Sequence, residues 1–284
     1  IIIYYIIFGA RIYCQEMFQE SYEYYSKKII LESQFNWDNS FFGPLRNQTS
    51  YQKFPNLITE SVGLSENDTL MSHNKIGFYS VNDQVALYGN FHWSYKYFYA
   101  YLYPRIVSNP KSFARYTGIP RDISRYNFNS GETDISGIGY EKDWFIGQIG
   151  RGRQSWGYGS NIQLALSEDS PSYDYFLIGI SLGNIRTRYF HGFLETRDIV
   201  NRYITGRGVE WYNKRNLKVA ISEITVYSGE NRPLDFAYLN PASTHLEMEL
   251  NDRQNRLGTD SGNAVWQCSF QYLPIPNITI SANL

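Results

Sequence analysis

The stretch Ile149 to Leu166, IGRGRQSWGYGSNIQLAL, holds four glycines, two arginines and a Trp-Gly-Tyr-Gly step. Glycine-rich turns beside cations suggest a phosphate cradle, so the nucleotide patterns are the first test. A Walker loop needs G-x-x-x-x-G-K-[ST]; Gly152 and Gly157 have the spacing, but Tyr158 stands in the lysine position. A dinucleotide fingerprint needs G-x-G-x-x-G; after Gly150 and Gly152 the third place is Ser155. Neither template passes. No HExxH appears either, so the zincin signature is absent.

Other chemistry-bearing residues are sparse. Glu168 and Asp169 are adjacent, and on an extended chain adjacent side chains point to opposite sides, which rules out their straddling one glycosidic bond as strand residues. Glu247 and Glu249 could share a strand face, but HLEMELNDRQNR (245–256) reads as an exposed segment with solvated charge. The four histidines are far apart, and only Cys14 and Cys268 are present, with no zinc spacing and no disulfide framework. No metal or cofactor is expected, and no enzyme chemistry.

Arginine carries more information, because it outnumbers lysine seventeen to nine. Arg151, Arg153, Arg186, Arg188 and Arg207 lie in strand-like runs, with Glu210 and Glu223 in strands nearby. Facing lipid at mid-membrane an arginine costs ~2–4 kcal/mol, so in a membrane strand it belongs on the inner side. There it could pair with a carboxylate and brace the wall. It could also, with stacked Tyr or Trp, hold an anionic sugar. Both readings stay open.

Charge and composition bound the alternatives. The formal charge is −1, so no global field draws the chain to nucleic acid. Aromatic content reaches 17%, with 26 Tyr, yet mean hydropathy is −0.42. Many aromatics in a polar chain suit a secreted β protein, a carbohydrate binder or a barrel with interfacial girdles. The opening residues, IIIYYIIFGARIYCQE, are too few to span a bilayer as a helix. They match the apolar part of a secretory signal, with cleavage expected near Gln15.

The elements that would position these residues read as follows. Residues 1–15 are a signal remnant, and 16–75 a periplasmic segment with one helix expected over 16–33. From residue 76 to 284, strand-like runs alternate with tight polar turns. The runs are roughly 8–11 residues long, the length of a tilted membrane strand and longer than the ~5–6 usual in soluble sheets. Trp266, Cys268, Phe270 and Tyr272 share one face; Gln267, Ser269 and Gln271 share the other. Phe176, Ile178, Ile180 and Leu182 likewise oppose Gly179 and Ser181. A soluble β-sandwich alternates too. Aromatics at strand ends (Trp93, Trp144, Trp211) and glycines inside strands favour the antiparallel transmembrane barrel.

Two blocks then suggest a family. GRGRQSWGYGSNIQLALSEDSP (150–171), followed by FLIGISLGN (176–184), resembles the Wzi-type capsule assembly proteins of the bacterial outer membrane. The positions that carry the likeness are Arg151, Arg153, Trp156, Gly157, Gly159, Leu164, Leu166, Ser167 and Pro171. A second block, residues 202–241, is similar through Glu210, Trp211, Leu217, Ser222, Glu223 and the run Tyr238-Leu239-Asn240-Pro241.

The resemblance implies an 18-stranded outer-membrane barrel that attaches or organises capsular or extracellular polysaccharide in lectin fashion. About ten to twelve of those strands are expected in this chain, and Leu284 replaces the usual terminal aromatic, so a C-terminal truncation is expected. The family's N-terminal helical bundle has only residues 16–33 as a counterpart. Expected partners are polysaccharide, outer-membrane lipid and the barrel assembly machinery, with no nucleic acid and a monomeric state. The residues proposed for sugar binding or an inner network are Arg151, Arg153, Trp156, Tyr158, Arg207, Glu210, Trp211 and Glu223. A porin or solute-specific channel, and a secreted glycan-active β enzyme, are the rival readings.

Overall fold

The computed structural model describes residues 70–284, apart from 82–83, 113–115, 117, 119–127, 143, 159–163, 167–169, 255–260 and 276–277. The expected signal remnant and the helix over 16–33 lie outside the described residues. The described chain is all-β, with eleven antiparallel strands and two short α-helices. The strands fall where the apolar runs predict them, except that β1 begins at Met71, earlier than the boundary expected at 76.

The chain divides into two compact units, and within each the strands pair in chain order. The first holds β1 (Met71–Val81), β2 (Gln84–Tyr95), β3 (Phe98–Val107) and most of β4 (Ser130–Lys142). Period two is visible in β2 and β3. Ala86, His92, Tyr101 and Val107 are buried on one face, while Leu87, Phe98, Leu102 and Ile106 are exposed on the other. Arg105 pairs with Glu132 and with Asp134 (3.1 Å), and Ser172 donates to Asp134 at 3.1 Å. The buried side of this unit is thus polar as well as aromatic.

The second unit carries β5 (Phe145–Gly152), β6 (Tyr173–Leu182), β7 (Ile185–Arg197), β8 (Val200–Tyr212), β9 (Leu217–Glu230), β10 (Ser261–Ile275) and β11 (Ile278–Asn283). Between β9 and β10 lie α1 (Phe236–Leu239) and α2 (His245–Leu250). These helices were not expected. Residues 245–250 are helical rather than strand-like, with His245 and Met248 buried; Leu246, Glu249 and residues 250–253 are exposed, as expected for this segment. Glu247 is held by Arg253 at 2.8 Å rather than poised for catalysis.

The two faces of this sheet differ sharply. One lies under residues 153–158 and 164–166 and is called the loop face; the other carries α1 and α2 and is called the helix face. On the loop face Arg188, Glu210, Lys218, Ser222, Gln267 and Gln271 are each at most 5% exposed. On the helix face Ile149, Leu182, Val209, Ile221 and Trp266 are each at least 49% exposed. The alternation in β10 runs as the sequence predicts, with Trp266, Cys268 and Tyr272 outward and Gln267, Ser269 and Gln271 buried. Here polar groups are buried and apolar ones exposed, the reverse of a soluble sheet.

Turn chemistry fixes the hairpins. Left-handed residues close the short connections: Gly183 (φ 61°) after β6, Asp198 (φ 56°) after β7 and Lys214 (φ 60°) after β8. The connections at one end of the strands, 183–184, 213–216 and 276–277, are all short. At the opposite end, residues 231–260 form a long excursion between β9 and β10.

One strand glycine is demanded by packing. A Cβ on Gly206 would collide with the ring of Phe190 and sit 2.8 Å from Ile224 Cδ1. Phe190 is completely buried, so it has no room to yield. Gly206→Ala is therefore expected to destabilise the fold by about 1–3 kcal/mol. Urea unfolding followed by far-ultraviolet circular dichroism checks this, and an unchanged midpoint would show that the ring moves freely.

Candidate functional site

Strand parity decides which candidate residues meet. Residues an odd number apart on one strand point to opposite faces, so Arg207 and Glu210 of β8 cannot share a site. The structure divides the eight candidates accordingly. Trp156, Tyr158 and Glu210 come together on the loop face; Arg151, Arg207, Trp211 and Glu223 belong to the helix face. Arg153 follows the end of β5 and is half-buried.

The loop-face group is built by residues 153–158 and 164–166, which lie across the strands. Tyr173 Oη accepts from the Gln154 amide (3.2 Å), fixing the start of the crossing. Trp156 pairs with Leu166 as an isolated bridge, its N–H donating to the Leu166 carbonyl at 3.1 Å. The indole is completely buried and meets Phe190 edge-on, with centroids 5.2 Å apart. Farther on, the Tyr158 backbone exchanges hydrogen bonds with the Asn283 side chain (3.2 and 2.8 Å). Gln267 Oε1 accepts from the Ala165 amide (3.0 Å). The segment is thus sewn to β6, β10 and β11 by groups that would otherwise be buried without partners.

Charge on this face centres on Glu210, which is 1% exposed. Tyr158 donates to its Oε1 at 2.8 Å, and Arg186 lies 3.9 Å from its Oε2. Burial, and then the Glu210 carboxylate, push the Tyr158 phenol far above its ordinary range, so it stays a neutral donor. Arg188 sits nearby on the same face, and Lys218 lies over the Tyr212 ring at 5.5 Å. Arg186, Arg188 and Lys218 are cations that the residue list drawn from sequence missed. Their signal was parity: each is on the same face as Glu210 in the paired register. Chemically the group offers buried cations, one carboxylate, a phenol and an indole, a set suited to binding and to bracing.

The helix-face residues do other work. Arg207 Nε is 3.4 Å from Glu223 Oε2, and its Nη1 donates to the Asn240 carbonyl at 3.2 Å. Both Glu223 oxygens accept from the His245 amide at 3.1 Å. This pair fastens α1 and α2 to the sheet. Arg151 makes an exposed ion pair with Asp174 (3.1 Å), and Trp211 stands 41% exposed among apolar neighbours. An inner ladder joining Arg207, Glu210 and Glu223 is therefore not what the structure holds. It holds two separate networks back to back.

The hydrolase pattern G-x-S-x-G occurs as Gly179-Ile180-Ser181-Leu182-Gly183. Its context is wrong for a nucleophile elbow. Residues 179–182 belong to β6 and Gly183 turns the chain into antiparallel β7, where an elbow requires a strand followed by a helix. Among the described residues, no group of three His, Cys, Asp or Glu could hold a metal ion, and no helix is long and apolar enough to cross a membrane. The latter says nothing about crossing by strands. No protein-family model, no curated protein and no solved structure matches the chain.

Proposed function

We propose that this chain is part of an outer-membrane β-barrel that holds capsular or extracellular polysaccharide at the cell surface, without enzyme chemistry. The inversion of the second unit's sheet carries the membrane reading: charged and amide side chains are buried on the loop face, and Ile, Val and Trp are exposed on the helix face. In water so many exposed apolar side chains on one face would be an aggregation liability; in lipid they are the solvated surface. Aromatic residues near the short-turn ends, Trp144, Trp211 and Tyr272, suit an interfacial belt. Uniformly short turns at one strand end, against the short 198–199 and the long 231–260 at the other, fit the usual arrangement of such barrels.

The polysaccharide reading is supported by the resemblance of residues 150–184 and 202–241 to Wzi-type proteins. The loop-face group adds to it. Tyr158, Glu210, Arg186 and Arg188 are a combination that binds hydroxyl-rich or carboxylated sugars by hydrogen bonds and stacking. The packing of residues 153–158 and 164–166 onto the loop face favours attachment over conduction, since a channel would need open space there.

Two measurements test this on the full-length protein in its host. Deleting the gene is expected to release cell-attached polysaccharide into the medium while synthesis continues. The unheated protein is expected to migrate faster than the heated one in detergent gels. A deletion strain that keeps its polysaccharide but loses uptake of a small solute would replace the proposal with a channel. Recovery in the soluble periplasm would reject both.

A further inference from the structure

The helix face exposes apolar side chains at Ile149, Leu182, Val209, Ile221 and Trp266 and carries the exposed Arg151–Asp174 pair at its β5–β6 edge, but one patch across β8 and β9 is polar and covered. Arg207, Glu223 and the aromatic hydroxyls of Tyr203 and Tyr227 stand on it, and all four are at most 8% exposed. What hides them is the segment that follows β9. Tyr238 stacks on Tyr227 with centroids 4.2 Å apart, Tyr227 stacks on Tyr203 at 4.9 Å, and Arg232 lies over Tyr227 at 4.8 Å. Arg232 is itself completely buried and paired with Asp235 at 3.0 Å. The segment turns its polar and aromatic side inward. Its outward side is Leu234, Phe236, Leu246 and Leu250, with Phe236 82% and Leu250 76% exposed.

We propose that residues 231–253 form a cap docked on the lipid surface, with Phe236, Leu246 and Leu250 seated at the boundary between headgroups and acyl chains. The proposal rests on the membrane reading given above. Two observations choose lipid as the occupant. The cap is fastened at Arg207 and Glu223, two residues along β8 and β9 from the exposed Val209 and Ile221, so its outward leucines stand beside that apolar surface. The cap also covers the Arg207–Glu223 ion pair, and an uncovered arginine would cost ~2–4 kcal/mol at midplane and little near an interface.

The cap's charges agree with that placement. Glu247 is paired with Arg253 at 2.8 Å on the outward side, and Asp235 with Arg232 at 3.0 Å on the inward side. Burial raises the Tyr238 phenol above its ordinary range, so it stays a neutral hydroxyl in the stack.

Nitroxide labels on the full-length protein in phosphatidylcholine vesicles test the proposal. In a background with Cys14 and Cys268 replaced by serine, labels go on Phe236→Cys, Leu250→Cys, Ile221→Cys and Arg215→Cys. Collision with dissolved oxygen is compared with collision with a water-soluble nickel chelate. The expected oxygen-to-nickel ratio is highest at Ile221, intermediate and several-fold above Arg215 at Phe236 and Leu250, and lowest at Arg215. Ratios at Phe236 and Leu250 equal to Arg215, with Ile221 still oxygen-rich, overturn the cap while leaving the barrel in membrane. A nickel-accessible Ile221 overturns the membrane reading and the cap with it. Spin–spin broadening at Phe236 that vanishes on dilution with unlabelled protein assigns the surface to a second copy instead, and also overturns the proposal.

Discussion

Glu223→Ala is expected to lower the unfolding free energy of the full-length protein by about 3–5 kcal/mol, the cost of removing one member of a buried ion pair. The carboxylate is 2% exposed and does two jobs at once: it faces Arg207 at 3.4 Å and takes the His245 amide on both oxygens at 3.1 Å. Alanine leaves a buried guanidinium that keeps the Asn240 carbonyl but no carboxylate, and frees the amide that starts α2. Glu223→Gln keeps an acceptor for that amide and is expected to lose less. Replacing both partners with leucine should recover much of the loss, because neither charge then needs a partner. Urea unfolding in vesicles, read by circular dichroism, gives all three values. A loss under about 1 kcal/mol for the alanine variant would show that water reaches Arg207 as soon as its partner goes.

Trp156→Ala has a comparable expected effect through packing. The indole is completely buried, and deleting an aromatic of that size in a core costs about 3–5 kcal/mol, less where the site collapses. Collapse is restricted here because Phe190 is already pinned above Gly206. The consequence should also be local. Residues 153–166 lose the anchor midway between the Tyr173 and Asn283 contacts, so trypsin is expected to cut after Arg153 in the variant and not in the parent. Cell-attached polysaccharide should fall together with that protection. Retained polysaccharide on a segment that trypsin opens would separate the segment from binding.

Much of the sheet was legible because period two survives in the residue types. Trp266, Cys268, Phe270 and Tyr272 differ from Gln267, Ser269 and Gln271 enough to define a face before any coordinates. β1 was not legible as a strand, because its first residues, Met71 to Lys75, are mostly polar and show no apolar alternation. The cap was illegible for a different reason. Helices of four and six residues are too short for a 3.6-residue period, and their inward side is Tyr238 and His245 rather than leucine. The outward leucines even suggest the wrong side. For the candidate site, composition found the right residue types but pooled them. Counting parity along β8 separates Arg207 from Glu210, and register across β7 to β9 then adds Arg186, Arg188 and Lys218 to the latter.

The long connection between β9 and β10 also bears on the order in which the chain assembles. Thirty residues, 231–260, separate strands that must pair, against four between β8 and β9. By loop-closure entropy those three doublings cost about 2 kcal/mol, so β7, β8 and β9 zip together while β10 is still searching. Once residues 231–253 settle onto β8 and β9, only 254–260 remain to be closed, and the search shortens to seven residues. The cap thus acts as a splint, delivering β10 to its partner after the earlier hairpins have formed. Glu223, which seats it through the His245 amide, would then set when the sheet can grow beyond β9. Pulse-labelled refolding should show β9–β10 contacts delayed in Glu223→Ala, with the β7–β8 hairpin unaffected.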